Sequence, residues 1–270
     1  VYKRQHPLDI LKVWEGGLAS HGAAIGMLFA SLLFTKKYKL NYLYLIDRVA
    51  LTVAIGGALI RFGNFMNSEI IGKPMASGDG IVFMKNSERQ LDQGGLLSDI
   101  NYTKLDNDIT VKGITYPLVE IELVANKGVS TQELENHYQR IAGQYLYNPN
   151  YDPHHRDIFI NDDSTPTLAI KTKQGLAIGK FQAYVITRHP AQLYESISCV
   201  ILFALLFFIY FKKGTLVPNG LLFGIFVTYI FGLRFIYEFL KENQVAMEDD
   251  MILNMGQKLS IPLVLTGLFL

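Results

Sequence analysis

The sequence predicts an all-α polytopic membrane protein, with about five transmembrane helices, interrupted by a small α+β extramembrane domain. Three observations predict it. Half of the 270 residues are hydrophobic and only 18% are charged, and the mean hydropathy is +0.20, a balance that is unusual for a soluble domain and ordinary for a membrane protein with a polar part. Apolar runs near 18–35, 41–62, 190–211, 219–240 and 252–270 approach the ~20 residues a spanning helix needs. Finally, a long polar stretch separates the second run from the third.

The runs divide the chain into a first membrane part over 1–72, an insert over 73–187 and a second membrane part over 188–270. The fourth run, GLLFGIFVTYIFGLRFIYEFL, is rich in small and aromatic residues, as packed membrane helices often are. Within the insert, ITVKGITYPLVEIELVANKG and TLAIKTKQGLAIGKFQAYVI alternate as hairpin-forming strands do. STQELENHYQRIAGQYL reads as a helix capped by Ser130 or Thr131. The chain opens on Val1 and closes on the apolar IPLVLTGLFL, so both ends read as cut.

Composition also excludes some functions. A net charge of +1 gives no electrostatic footprint for nucleic acid. A single cysteine, Cys199, rules out an intramolecular disulfide framework and reads as a packing residue. His154 and His155 are adjacent and point apart, and no metal-ligand spacing supports a site, so no metal is expected.

Each span reverses the side of the membrane. The turns holding Lys36, Lys37, Lys39 and Lys212, Lys213 fall on one side, which the positive-inside rule makes cytoplasmic. The polar groups of the spans gather on the other: His21 opens the first run, Arg61 and Asn64 close the second, His189, Gln192, Tyr194 and Glu195 open the third, and Arg234 and Glu238 close the fourth. Polar groups at bilayer depth are costly and are paired, solvated or functional. Arg61 and Asn64 share a helix face, and Arg234 and Glu238 are spaced to pair. A bland reading has Arg61 as a snorkelling anchor and Arg234–Glu238 as a structural ion pair. Two arginines at one depth instead offer planar forks suited to phosphate, and at a membrane face the available phosphate is a lipid headgroup.

The motifs WEGGLASHGAAIG, RFGNFMNSEIIGKP, RHPAQLYES, GLRFIYEFLKE and MGQKLSIPLVLTG occur in an order that resembles the prolipoprotein diacylglyceryl transferases of the bacterial inner membrane. The resemblance maps the family's RIGNFINGE box onto Arg61, Gly63, Asn64, Asn67, Glu69 and Gly72, its histidine-glycine motif onto His21 and Gly22, and its late arginine and glutamate onto Arg234 and Glu238. Ser68 stands where the box usually has glycine, Ala23 where a second glycine often follows the histidine, and the insert is longer than in the commonest members. The family carries further helices before the histidine motif, and site residues from them are not expected in this chain.

What the resemblance implies is transfer of a diacylglyceryl group from phosphatidylglycerol to the lipobox cysteine thiol of a preprolipoprotein, with release of glycerol phosphate. Arg61 and Arg234 are then the catalytic cations that meet charge on the leaving phosphate. His21 is the candidate base, although two arginines could generate enough thiolate unaided. Asn64 and Asn67 would bind the headgroup glycerol, Glu69 and Glu238 would orient the arginines, and Gly72 completes the substrate-binding set. No metal or organic cofactor is expected, because the lipid carries its own leaving group. The expected location is the inner membrane, with the insert periplasmic and the site towards the outer leaflet. The alternative is a phospholipid-binding or lipid-transport protein that breaks no bond; a structural scaffold is a third option.

Overall fold

A computed structural model describes residues 20–146, 157–160, 167–240 and 253–270. In chain order its main elements are α1 (Ser20–Tyr38), α2 (Tyr42–Met66), α3 (Lys85–Leu91), β1 (Leu97–Lys104), β2 (Ile109–Val111), β3 (Ile114–Tyr116), β4 (Leu118–Ala125), α4 (Thr131–Ile141), β5 (Ile158–Phe159), β6 (Ala169–Lys173), β7 (Leu176–Val185), α5 (Ala191–Lys213), α6 (Leu221–Tyr237) and α7 (Met255–Phe269). The His154–His155 pair lies outside the described residues. The chain forms two compact units: Val1–Gly56 with Cys199–Gly232 and Ser260–Leu270, and Gly57–Ser198 with Leu233–Leu259.

The first unit is helical. Its core is Leu51 and Ala54 of α2, Leu202 and Leu206 of α5, and Val217 and Leu222. Asp47 is fully buried, and its two carboxylate oxygens accept the backbone N–H groups of Gly220 and Phe223, each at 2.8 Å. These are among the donors that a helix N-terminus leaves without intrahelical partners, so Asp47 is the cap that starts α6. Arg48 donates to the Tyr44 carbonyl at 2.8 Å and lies 3.4 Å over the Tyr44 ring. Small residues set the approach of α6 and α7. A Cβ on Gly224 would meet the Gly267 carbonyl at 2.8 Å, and one on Gly267 would press on Thr228, a close crossing of the kind membrane helices favour.

Helices occur at all the predicted apolar runs, but their length and composition do not by themselves establish the five expected spans. Among the described residues, α2 and α5 are long and apolar enough to cross a membrane, and α6 is apolar but shorter. α1 closes on Lys36 and Lys37, and α7 has 15 residues with Pro262 inside; charges and brevity keep both from matching the longer pair. Only 28% and 33% of the most apolar windows of α2 and α5 are buried. Leu59, Ile60, Ile201 and Phe208 are instead exposed. A core helix of a soluble protein hides such side chains, so this surface calls for an apolar solvent.

The second unit holds a five-stranded antiparallel sheet in the order β1-β4-β7-β5, with β6 also against β7. Register pairs Tyr102 with Ile121 and Ile121 with Phe181. Alternation puts Val119, Ile121 and Leu123 of β4 and Phe181, Ala183 and Val185 of β7 into one core, which Leu134, Tyr138 and Ile141 of α4 cover. The α4 start has a complete capping box: Ser130 accepts the Glu133 N–H, and the Glu133 carboxylate accepts the Ser130 N–H. Both short hairpins turn on a residue–glycine pair with positive φ, Lys112–Gly113 between β2 and β3 and Gln174–Gly175 between β6 and β7, the geometry a two-residue loop requires. β1 is not legible beforehand, because LSDINYTK is exposed along most of its length and lacks the apolar alternation that marked β4 and β7.

Candidate active site

The second unit contains the whole signature box. α2 runs through Arg61 and Asn64 and ends at Met66. The chain then turns sharply: Asn67, Ser68 and Glu69 donate backbone N–H groups to Gly63, Phe65 and Asn64 at 3.0, 3.1 and 2.9 Å. Ser68 (φ 55°) and Ile70 (φ 56°) both lie in the left-handed region, which costs a residue with a Cβ roughly 1–2 kcal/mol. This accounts for the glycine that the resembling box prefers at the position of Ser68. The replacement is tolerated through backbone strain, and small size is not the whole reason for it.

Arg61 donates from Nε to Glu195 Oε2 at 2.6 Å, with side-chain exposures of 27% and 10%. Glu195 on α5 therefore fills the orienting place that the sequence reading assigned to Glu69. The Glu69 carboxylate instead accepts from Asn64 Nδ2 at 2.8 Å. The Glu69 carbonyl accepts from Gln192 Nε2 at 2.6 Å. Asn67 turns away from these groups, and its Oδ1 accepts from Lys85 Nζ at 3.0 Å. Ser196 donates to the Ala58 carbonyl at 2.9 Å and pins α5 against α2.

Gly72 is present for steric reasons. A Cβ there would strike the His189 carbonyl oxygen and lie 2.9 Å from the His189 Cβ. The same is true of Gly80, where a Cβ would meet Arg188 backbone at 2.7 Å. Segment 187–189 is threaded between the box and residues 80–81: His189 N–H donates to the Lys73 carbonyl at 3.0 Å, Met75 N–H to the Thr187 carbonyl at 2.8 Å, and Arg188 N–H to the Ile81 carbonyl at 2.9 Å. The Arg188 side chain is fully buried. Its Nη1 reaches the Gly72 carbonyl at 3.3 Å, and its Nε lies 3.8 Å from Asp157 Oδ1. Asp157 Oδ2 also accepts from Ser87 Oγ at 3.4 Å. A buried charge is tolerable only when partnered, and here the partners are the box backbone and the sheet region.

The end of α6 is gathered onto α5 by Tyr237, whose hydroxyl lies 2.6 Å from Ser198 Oγ. The Tyr194 ring stands between those of His189 and Tyr237, at centroid distances of 6.4 and 6.5 Å. Lys73 N–H donates to the Leu240 carbonyl at 2.8 Å. Arg234 sits one turn before Tyr237 and is partly buried. It forms no ion pair with Glu238 among the described residues; the two are joined by the backbone bond from Glu238 N–H to the Arg234 carbonyl at 3.0 Å. A Cβ on Gly256, at the start of α7, would collide with the Glu238 carboxylate, so that glycine makes room for it. Arg61 is tied to α5 through Glu195, and Tyr237, one turn after Arg234, is tied to it through Ser198. His21 lies on the first turn of α1, and its side chain lies outside the described residues. Among the described residues no cluster of three or more His, Cys, Asp or Glu is placed to hold a metal.

Sequence reasoning placed Glu195 and Gln192 among the polar groups without giving them tasks, and it gave Arg188 none. The signal was RHPAQLYES itself: three groups able to carry or accept charge around the start of one apolar helix. Chemically, the cluster offers an oriented guanidinium, partly exposed, beside a strained loop and two hydrogen-bonding amides.

A family model described as prolipoprotein diacylglyceryl transferase matches residues 1–270. The phosphatidylglycerol–prolipoprotein diacylglyceryl transferase of Tolumonas auensis is 32% identical over all of this chain and 67% of its own length. Proteins of the same name from Bacteroides fragilis and Protochlamydia amoebophila are 29% and 28% identical over 94% and 100% of this chain. The chain spans 56% and 48% of their lengths, respectively. From its box, its arginines and the match along its whole length, the chain belongs to the prolipoprotein diacylglyceryl transferase family.

Proposed function

We propose that this protein transfers the diacylglyceryl group of phosphatidylglycerol to the lipobox cysteine of preprolipoproteins. The thiolate sulfur attacks the diacylglyceryl carbon that bears the phosphate. A carbon–sulfur bond forms, the carbon–oxygen bond breaks, and glycerol phosphate leaves with the electron pair. Arg61 and Arg234 meet the charge that grows on the leaving phosphate, and His21 takes the thiol proton. Asn64, Asn67, Glu69, Gly72 and Glu238 shape the pocket for the headgroup. The observation that carries this reading is the Arg61–Glu195 pair at 2.6 Å, a preorganised guanidinium within the family's signature box.

The same reading makes the protein a multi-pass component of the bacterial inner membrane, with α1, α2, α5, α6 and α7 crossing it and the 73–187 insert periplasmic. The reacting carbon of a phospholipid lies at the glycerol level, where helix ends such as that of α2 reach both headgroup and acyl chains. Supplying phosphatidylglycerol and a lipobox peptide to the intact protein tests the proposal. Glycerol phosphate release that requires the peptide cysteine is expected. Tight lipid binding with no release would favour the lipid-binding alternative.

A further inference from the structure

Gln192 lies on the first turn of α5 with 1% of its surface exposed. Its Nε2 donates to the Glu69 carbonyl at 2.6 Å. This fixes the orientation of the amide, because the reversed amide would set two oxygens against each other at that distance. Oε1 is thus turned from Glu69, and it has no hydrogen-bond partner among the described residues. A buried acceptor left unmade is costly, and the backbone of the strained box loop is what holds this one in place. Gln192 is three residues before Glu195, hence on the same helix face, and Glu195 holds Arg61.

We infer that Gln192 is a specificity-determining residue whose side-chain carbonyl accepts a hydrogen bond from a hydroxyl of a polyol phosphate headgroup. The inference rests on the transferase reading for the location of the lipid. The adjoining guanidinium supplies the reason for a hydroxyl. A headgroup ammonium would also donate, but it would be placed beside Arg61 and repelled. A hydroxyl carried by the same molecule whose phosphate the arginine attracts meets both groups at once. A site built to bond a hydroxyl rejects the analogue lacking it, because its own buried group is then left unpaired.

The test compares binding of phosphatidylglycerol with that of phosphatidylpropanol, which keeps the phosphate and the chain length but lacks the hydroxyls. Affinities are measured on the intact protein in mixed micelles. The wild type is expected to favour phosphatidylglycerol by at least about tenfold, the worth of one buried hydrogen bond. Gln192→Met, close in volume but without an acceptor, should bring the ratio to within about twofold to threefold, on top of any loss common to both lipids from freeing the Glu69 carbonyl. Gln192→Glu keeps an acceptor, so it should weaken both lipids and retain the preference. An equal ratio in wild type and Gln192→Met would overturn the inference. So would a wild type without preference, a result that stands even if Gln192→Met fails to fold. Turnover is read separately. Preferential binding without thioether formation would sink the transferase reading and leave the Gln192 contact intact. Equal transfer from both lipids would do the reverse.

Discussion

Two stretches of α2 carry charged residues, and the helix treats them in opposite ways. At Asp47 and Arg48 the polar atoms are matched to fixed protein groups. Both Asp47 oxygens cap α6, and Arg48 is bonded to the Tyr44 carbonyl and stacked on the Tyr44 ring. At Arg61 and Asn64 the match is partial. Arg61 has one ion pair and keeps 27% of its side chain exposed, the loop that follows holds two residues at positive φ, and a buried amide oxygen nearby has no partner among the described residues. Saturation marks architecture. Incomplete pairing, held in place by strain and a rigid partner helix, marks a place prepared for something else.

The contrast can be broken most severely by removing the guanidinium. Arg61→Ala should cut turnover by at least about 100-fold, as should Arg234→Ala, the range seen when one preplaced transition-state donor is lost. Thermal unfolding in detergent should change little in Arg234→Ala, whereas Arg61→Ala also takes the partner from the nearly buried Glu195 carboxylate and should lower Tm. Near-normal turnover in both variants would remove the phosphate-clamp argument. Asp47→Ala should behave inversely. It strands two buried N–H groups and should cost about 3 kcal/mol of stability, while turnover per folded molecule stays near that of the wild type. A stable Asp47→Ala protein with lost activity would show that both stretches serve the chemistry.

Smaller effects sharpen the comparison. Gly72→Ala forces the box loop away from His189, and overpacking of that kind costs about 1–3 kcal/mol. Its signature should be a raised KM along with lower stability, because the loop carries Glu69 and Asn67. Ser68→Gly relieves a left-handed residue and should add roughly 1 kcal/mol, visible as a higher Tm; no gain would mean that the strain at φ 55° is absorbed elsewhere. The least effect lies in the sheet region. Hydrogen bonds from the Ser130 backbone and side chain lower the Glu133 carboxyl below its ordinary 4.5. Its contribution to stability is therefore present above the unfolded value and is lost as pH falls through the lowered one. Glu133→Gln should slightly lower Tm at neutral pH and leave it unchanged in acid.

Hydrophobic periodicity made α2, α5 and α6 legible in advance, and alternation with residue–glycine turns did the same for β4, β6 and β7, since those signals are local. The Ser130 cap was legible for the same reason. β1 was not: its pairing with β4 comes from a partner strand and not from its own pattern. Five spans do not follow from apolarity alone, because an apolar run can be recognised without the length and freedom from charge that mark α2 and α5.

The sequence by itself determined the family motifs, the collection of polar residues at the ends of apolar runs, and the arginine in the box. Tertiary structure alone decided the pairings. Glu195 rather than Glu69 holds Arg61, Arg188 is buried beneath Gly72, and Gln192 presents an oxygen without a hydrogen-bond partner among the described residues. The physical reason is distance along the chain. Helix periodicity reports neighbours three and four residues away, whereas a carboxylate or amide finds its partner across more than a hundred residues, and only packing brings those together.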